Sequence, residues 1–158
     1  MASCTAVERA PRFDGVGACR ERRRLMERST ELLDRVLDGF EAFSSRDASV
    51  VDRDTSRHEG VRLIGTDPGE WFEGERAVEV LKREVRDTTD IAEISASDLD
   101  AFVEGTVGWV SGRVVWILGD GREIPTRWTA VFHREEGEWK MVQAHTSVGV
   151  PNEELFGG

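Results

Sequence analysis

The chain has no tyrosine, and only two cysteines and three histidines occur among its 158 residues. Without tyrosine, no phenol is available as a catalytic acid or as a hydrogen-bond donor in a site. Cys4 and Cys19 precede the first periodic segment, so a bridge between them would close only a tail, and neither suits a metal site. The histidines, His58, His133 and His145, do not have metal-ligand spacing. We therefore expect neither a metal nor an organic cofactor.

Long apolar runs are also lacking. No run approaches the roughly 20 residues of a transmembrane helix, and the N-terminus lacks the apolar stretch of a secretory signal. We therefore expect a soluble, cytoplasmic protein that does not bind membranes. The net charge of -10 makes nucleic acid a poor partner, because the phosphate backbone is also negative.

The length of 158 residues suits one domain with a hydrophobic core. Residues 1–19 contain Pro11, Gly15 and Gly17 and show no apolar period, which predicts a flexible leader. Residues 20–158 are expected to form a single domain.

The first half of the chain shows helical patterns. Apolar residues recur at steps of three and four from Leu25 onwards, which predicts an amphipathic helix that ends near Ser44. A short helical turn is expected at residues 48–51, and a short strand at residues 61–64. After an irregular loop, a third helix is predicted from 75 to 86.

Strand patterns dominate the second half. The predicted strands are 102–104, 107–118, 123–134 and 138–150. Strands of about 12 residues are twice the usual length and cannot stay flat. Helices first and long antiparallel strands last predict an α+β fold, with about three N-terminal helices on the concave face of a strongly curved antiparallel sheet. Such a cone leaves a cavity, in which we expect a small hydrophobic molecule to bind.

The element order, the loop GTDPGEWFEG at residues 65–74 and the closing run TRWTAVFHREEGEWKMVQAHTSVGVPNEEL resemble the nuclear transport factor 2-like superfamily. Within it, the chain is most similar to the SnoaL-like group, which is related to ketosteroid isomerases and to the association domain of calmodulin-dependent kinases. The resemblance covers about residues 25–155 and implies a cone-shaped fold and a homodimer formed through the sheet. It specifies function poorly, because the superfamily includes isomerases, cyclases, dehydratases, epoxide hydrolases and assembly modules.

Asp67 is the first catalytic candidate that the resemblance implies. In ketosteroid isomerases an Asp-Pro at the like position supplies the general base that moves a proton beside a ketone. Such a base needs apolar walls, and Trp71 and Phe72 are candidates for those walls and for ligand binding. The sequence Asp67-Pro68-Gly69 also has the composition of an ordinary turn, so both interpretations stay open.

The same mechanism needs an oxyanion hole, which that family builds from a tyrosine and a protonated aspartate. The tyrosine is missing, and the position of the aspartate falls near Thr129, whose hydroxyl is a much weaker acid. Since loss of one oxyanion donor lowers the rate by on the order of a hundredfold, the standard ketosteroid isomerase mechanism is not expected.

The last two strands carry the other candidates. Period-two alternation divides each strand into two faces, but the sequence does not show which face lines the cavity. Arg127 in mid-strand needs a carboxylate partner or an anionic ligand. His145 could hold a core hydrogen bond or shuttle a proton in the pocket, and Ser147 follows it without the third member of a triad. We therefore list Arg127, Thr129 and Ser147 as candidate ligand-binding residues, and His145 as a second catalytic candidate.

Two functions fit these residues. The first is a cofactor-independent isomerase, cyclase or hydrolase that acts on a hydrophobic substrate, with Asp67 as general base and His145 or Arg127 as the polarising group. The second is a non-catalytic dimeric module that binds or senses a ligand. The Asp-Pro loop favours the enzyme, and the missing tyrosine favours the binding module. Tryptophans at 109, 116, 128 and 139 lie in predicted strands, where they fill the core, line the pocket or cover an interface.

Overall fold

The computed structural model describes residues 26–157, which form four helices and a seven-stranded sheet. The helices are α1 (Thr30–Ser44), α2 (Ser49–Asp54), α3 (Gly74–Asp87) and α4 (Asn152–Phe156). The strands are β1 (Glu27–Arg28), β2 (Arg62–Ile64), β3 (Trp71–Glu73), β4 (Ile91–Glu104), β5 (Val107–Leu118), β6 (Glu123–Glu135) and β7 (Glu138–Val148). None of the helices in this part of the chain is long and apolar enough to cross a membrane. The predicted leader 1–19, with both cysteines, lies outside the described residues.

The sheet has the strand order β1-β4-β5-β6-β7-β2-β3 and does not close on itself. Strands β4 to β7 form an antiparallel meander, and β2 joins it parallel to β7. Register shifts in β4 and between β6 and β7 bend these long strands. Helices α1 to α3 pack against the inner face of the curled sheet. The predicted α+β cone, with three N-terminal helices on its concave side, is confirmed, and the structure adds the short C-terminal helix α4.

Helix α1 begins at Thr30, so the prediction of helix from Leu25 was wrong for residues 26–29. Glu27 and Arg28 instead pair with β4 as the edge strand β1. Ser29 then has an extended backbone, and its Oγ accepts a hydrogen bond from the Leu32 N–H at 3.1 Å. Such an N-cap satisfies one of the free N–H groups of the first turn and fixes where the helix starts. The apolar pattern runs across this boundary without marking it.

Strand β4 begins at Ile91, whereas the sequence predicts its start at Phe102 and a polar link before it. The missed segment pairs with the second half of β5 through the backbone. Its side chains include Glu93, Asp98 and Asp100, which are exposed. A register shift interrupts the regular alternation of apolar and polar residues by which a strand is recognised in a sequence, and this strand also carries many exposed polar residues. The prediction of an irregular loop at 65–74 was also partly wrong, because residues 71–73 form β3 beside β2.

The hydrophobic core lies between the helices and the inner face of the sheet. Its fully buried side chains include Leu32 of α1, Val78 and Val80 of α3, and Val110 and Val114 of β5. Burying each such side chain contributes about 1.5 to 3 kcal/mol. This packing holds the three helices at a fixed distance from the sheet, and the space left between them is the cavity described below.

Candidate functional site

A cavity of about 370 Å³ lies between α1 to α3 and the inner face of the sheet. Its walls are mainly apolar, and the side chains that set its shape include Val36, Phe40, Phe43, Val114, Trp128 and Phe132. The Phe40 ring meets the Trp128 ring edge to face, with centroids 5.0 Å apart and planes at 72°. This aromatic contact joins α1 to β6 and fixes one wall of the cavity.

Strand alternation determines which side chains reach the cavity. Trp128 of β6 faces inward, and its partner on β7, Thr146, lines the cavity beside it. The register shift after Val131 changes the alternation on β7, so that Met141 and Ala144 line the same wall. Strict period-two alternation would place Met141 and Ala144 on opposite faces of β7. The register shift breaks this alternation, and both side chains therefore face the cavity.

One polar part of the lining is an ion-pair group at α1 and α2. Arg35 Nη1 lies 2.8 Å from Asp54 Oδ1, and Arg35 also pairs with Glu138. Arg53 makes two further hydrogen bonds to the Asp54 carboxylate, at 2.8 and 2.7 Å. The Asp54 side chain is only 13% exposed, so these contacts compensate a charge that is largely removed from water. The four charges of the group cancel.

A second polar part consists of Glu70 and Glu84, which both border the cavity and are partly buried. Glu84 lies on α3 beside the cavity-lining residues Leu81 and Val85. Glu70 ends the turn before β3, and its Oε2 accepts a hydrogen bond from the Asp67 N–H at 2.9 Å. No Arg, Lys or His nitrogen of residues 26–157 forms an ion pair with either carboxylate. Within residues 26–157, these two acids therefore differ from Asp54 in having no ion-pair partner.

Burial raises the pKa of the Glu84 carboxyl to about 7, and the negative charge of Glu70 acts in the same direction. The positive charge of Arg83, its neighbour on α3, acts in the opposite direction. Near neutral pH this carboxyl is therefore divided between its protonated and ionised forms. It can donate a hydrogen bond in one form and pair with a cation in the other.

The SnoaL-like domain family matches residues 33–151 of the chain. The chain belongs to this family. No curated protein sequence matches it significantly. The SnoaL-like domain is similar in structure to a nuclear transport factor 2-like protein of unknown function from Pseudomonas putida, with a TM-score of 0.67 and 15% identity over 81% of this chain and 94% of that chain. A ketosteroid isomerase-like protein from Parabacteroides distasonis has a TM-score of 0.61 and 18% identity over 77% of this chain and 87% of that chain. These likenesses confirm the predicted fold, and the family match confirms the SnoaL-like group that the sequence indicated.

The loop of the SnoaL-like domain places its predicted residues in different surroundings. Asp67 is exposed, and its Oδ1 accepts a hydrogen bond from the Gly69 N–H at 2.8 Å, as in an Asx turn. Trp71 is 60% exposed, and its indole N–H donates to Glu73 at 3.2 Å. Phe72 lines the cavity, whereas Asp67 and Trp71 do not. The loop thus contributes Phe72 and Glu70 to the cavity, and the Asp-Pro sequence forms the turn that positions Glu70.

The other four predicted residues lie on the outer face of the sheet. Because Trp128 points into the cavity, Arg127 and Thr129 on either side of it point away. Ser147 and His145 are their register partners on β7 and share that outer face. The structure therefore brings these four residues together, but not with Asp67 and not with the cavity. Their roles in binding and catalysis stay predictions.

Sequence reasoning missed Glu84. A glutamate on an amphipathic helix usually faces water, and this one was assigned no role. Its spacing carried a signal, because Glu84 follows Ala77 by seven residues and Leu81 by three, which places it on the apolar side of α3. A charged residue at such a position is a reason to expect a functional site.

Proposed function

We propose that this SnoaL-like domain binds a small, largely apolar molecule in the cavity between α1 to α3 and the sheet. The observation that carries the proposal is the cavity itself, with its apolar walls and a few polar groups. Binding sites for small molecules typically have this composition and a volume of about 300 to 1,000 Å³. The volume of about 370 Å³ suits a molecule of one to three rings.

Binding is better supported than proton transfer from Asp67. The Asp67 carboxylate is engaged in its turn and points away from the cavity lining, so it would have to leave this turn to reach a molecule inside. Replacing Asp67 with Asn preserves a side-chain acceptor for the Gly69 N–H. An enzyme that uses Asp67 as a base would lose turnover in this variant, whereas a binding domain would retain ligand affinity.

Gly39 offers a direct way to test the cavity. It lies within α1 and borders the cavity, and a Cβ atom added there would meet no other atom within 4 Å. Leucine favours the helix more than glycine does, so Gly39→Leu should fold and place its side chain in the cavity. We expect the affinity for the neutral fluorescent probe N-phenyl-1-naphthylamine, measured by titration, to fall by about tenfold or more because the space is taken.

Asp38→Leu is the matched control, since Asp38 is the preceding residue of α1 and is exposed. This variant adds the same side chain to the same helix outside the cavity, and we expect wild-type affinity for the probe. Equal affinities of wild type, Gly39→Leu and Asp38→Leu would show that the probe does not enter the cavity, which contradicts the proposal.

We also propose that the domain forms a homodimer through the outer face of β4 to β7. Trp109 and Phe102 stack on this face with centroids 6.1 Å apart, and Val131 is the register partner of Trp109. All three side chains are partly exposed. Aromatic and aliphatic groups at the centre of a mixed polar surface are typical of protein interfaces. The sheet-to-sheet homodimer implied by the sequence resemblance would cover them.

A further inference from the structure

The charges that border the cavity do not balance. Four charged side chains contribute to its lining, namely Arg35, Asp54, Glu70 and Glu84. Arg35 and Asp54 are compensated within their own ion-pair group. Glu70 and Glu84 remain, so an unoccupied cavity presents up to two negative charges to its contents. Because the surrounding walls are apolar, this charge is less screened than it would be at an open surface.

The position of Glu70 is built into the loop. The Asp67 N–H holds its Oε2, and the backbone N–H of Gly65 donates to the Glu70 carbonyl oxygen at 2.9 Å. The Glu70 side chain folds directly over Gly65, where a Cβ atom would lie 2.1 Å from Oε2. A residue with a side chain at position 65 would thus push Glu70 out of place. Glycine at 65 and the turn at Asp67 together hold a carboxylate at the border of the cavity.

The two carboxylates act on one another. The charge of Glu70 is one cause of the raised pKa of Glu84, and burial among apolar side chains is the larger cause. Burial and the mutual repulsion of the two carboxylates both disfavour the state in which Glu70 and Glu84 are ionised together. A cation placed beside the two carboxylates would relieve both effects, because it supplies the missing opposite charge in the same apolar surroundings.

The chemistry of the lining restricts what that cation can be. No group of three or more His, Cys, Asp or Glu residues within residues 26–157 could hold a metal ion. The neighbours of the carboxylates are instead apolar and include Phe72, Leu81 and Val85. A molecule that satisfies both features has an apolar body and one positively charged end. An anionic molecule of the same shape would be repelled.

We propose that the cavity selects hydrophobic amines, whose ammonium group lies against the carboxylates of Glu70 and Glu84 while the apolar body fills the space between the helices and the sheet. This inference rests on the proposed binding function and specifies the class of ligand.

Three probes with one ring system test this selectivity. We would titrate 1-naphthylmethylamine, 1-naphthylmethanol and 1-naphthoate into the protein at pH 8 and measure affinity by calorimetry. The ammonium form of the amine predominates at this pH. We expect the amine to bind about tenfold more tightly than the neutral alcohol, and the carboxylate to bind more weakly than the alcohol.

Two variants assign the selectivity to the carboxylates. Glu84→Gln and Glu70→Gln keep the shape of the side chain and remove its charge. Each should lower the affinity for the amine by about tenfold and leave the affinity for the alcohol unchanged. Glu79→Gln is the control, because Glu79 is an exposed residue of α3 that does not line the cavity. It should bind all three probes as the wild type does.

The pH dependence gives a second readout. Between pH 8 and pH 5.5 the Glu84 carboxyl takes up a proton, so wild-type affinity for the amine should fall by about tenfold while affinity for the alcohol stays constant. Glu70 of the loop and Arg83 of α3 are the charged groups that act on Glu84. In Glu84→Gln most of this pH dependence should be lost.

The outcomes separate the inference from the proposed function. If the alcohol binds as tightly as the amine, and Gly39→Leu weakens both, the cavity binds small molecules but the proposed selectivity for amines is wrong. If none of the three probes binds to the wild type while N-phenyl-1-naphthylamine does, only the selectivity for amines is contradicted. If N-phenyl-1-naphthylamine does not bind either, both proposals are contradicted. Tighter binding of the amine that survives in both glutamine variants would also overturn the assignment to Glu70 and Glu84.

Discussion

At the scale of single residues, Glu84 links the stability of the domain to pH. Its pKa is about 7 in the folded protein and 4.5 in the ordinary case. Between these pH values the folded state holds a proton that the unfolded state has released, so the free energy of unfolding falls as pH rises. The contribution is complete below pH 4.5 and is lost as pH rises through about 7.

Glu84→Gln should remove this dependence. Relative to the variant, the wild type should lose about 1 to 3 kcal/mol of unfolding free energy between pH 4.5 and pH 8, because ionisation of a partly buried carboxyl is unfavourable. Urea denaturation followed by tryptophan fluorescence measures both proteins at each pH. Lowered pKa values of exposed aspartates, such as Asp52 and Asp87, affect both proteins equally and cancel in the difference. A wild-type minus variant difference that does not change with pH would contradict the raised pKa.

The residues of the cavity could be predicted only in part. Trp71 and Phe72 of the loop before α3 were expected to form its walls; Phe72 does line it, together with Glu70, whereas Trp71 does not. Arg127, Thr129 and His145 were expected among its polar contents, yet alternation gives two faces and does not say which is inner. Trp128 decides the matter through its contact with Phe40, which lies about 90 positions earlier in the chain. The local pattern of apolar residues does not predict contacts between residues so far apart in the chain.

At the scale of elements, the bend of β4 depends on Gly112 of β5. The register shift between Ala96 and Asp98 brings the β4 backbone close to this glycine. A Cβ atom at position 112 would lie 2.0 Å from the Asp98 carbonyl oxygen and 2.8 Å from Leu99 Cδ2. Since the first of these atoms belongs to the backbone, the strand itself would have to move.

Gly112→Ala should therefore destabilise the domain by about 1 to 3 kcal/mol, although alanine ordinarily suits a strand better than glycine does. Gly119→Ala is the control, because a Cβ atom there meets nothing within 4 Å. Thermal unfolding followed by circular dichroism compares the two. Equal melting temperatures of Gly112→Ala and Gly119→Ala would mean that β4 does not need this close approach.

The elements themselves were predicted unevenly. Helix α3 was predicted at 75–86 and found at Gly74–Asp87, because its apolar stripe is regular and its ends carry polar residues. The strands β5 and β6 were also close to their predicted bounds. The edge strands β1 and β3 were missed, since two or three residues are too few for any periodicity. They are strands only because a neighbour offers them hydrogen bonds.

At the scale of the whole molecule, the proposed homodimer predicts a concentration-dependent sedimentation coefficient. Val131→Arg places a charge on the outer face beside Trp109 and should shift the protein to the monomer. Glu59→Arg, at an exposed position in the loop before β2, should remain dimeric. Sedimentation velocity over a range of concentrations distinguishes the two states, and a wild type that is monomeric at every concentration would contradict the dimer.

The architecture as a whole was the most predictable level. The order of helices and long strands indicated an α+β cone, and the quoted loop and closing run indicated the superfamily. This follows from the number of constraints, because a sheet of long meandering strands with helices before it can bury its apolar face in few ways. Whether a particular side chain enters the cavity depends on one turn or one register shift. The sequence pattern does not show such details, so the position of the side chain is known only from the structure.

The two edges of the sheet are β1, with two residues, and β3, with three. The strands β5 and β6 are paired along most of their length on both sides, whereas β1 covers only Phe102 and Val103 of β4, and β2 covers only residues 143–145 of β7. An exposed edge is where foreign strands add during aggregation, and a very short edge strand presents few free N–H and C=O groups to them. The strands β5 and β6, which lie between full-length neighbours, are thus shielded from such addition in the folded state, and three of the five edge-strand residues, Glu27, Arg28 and Glu73, are charged.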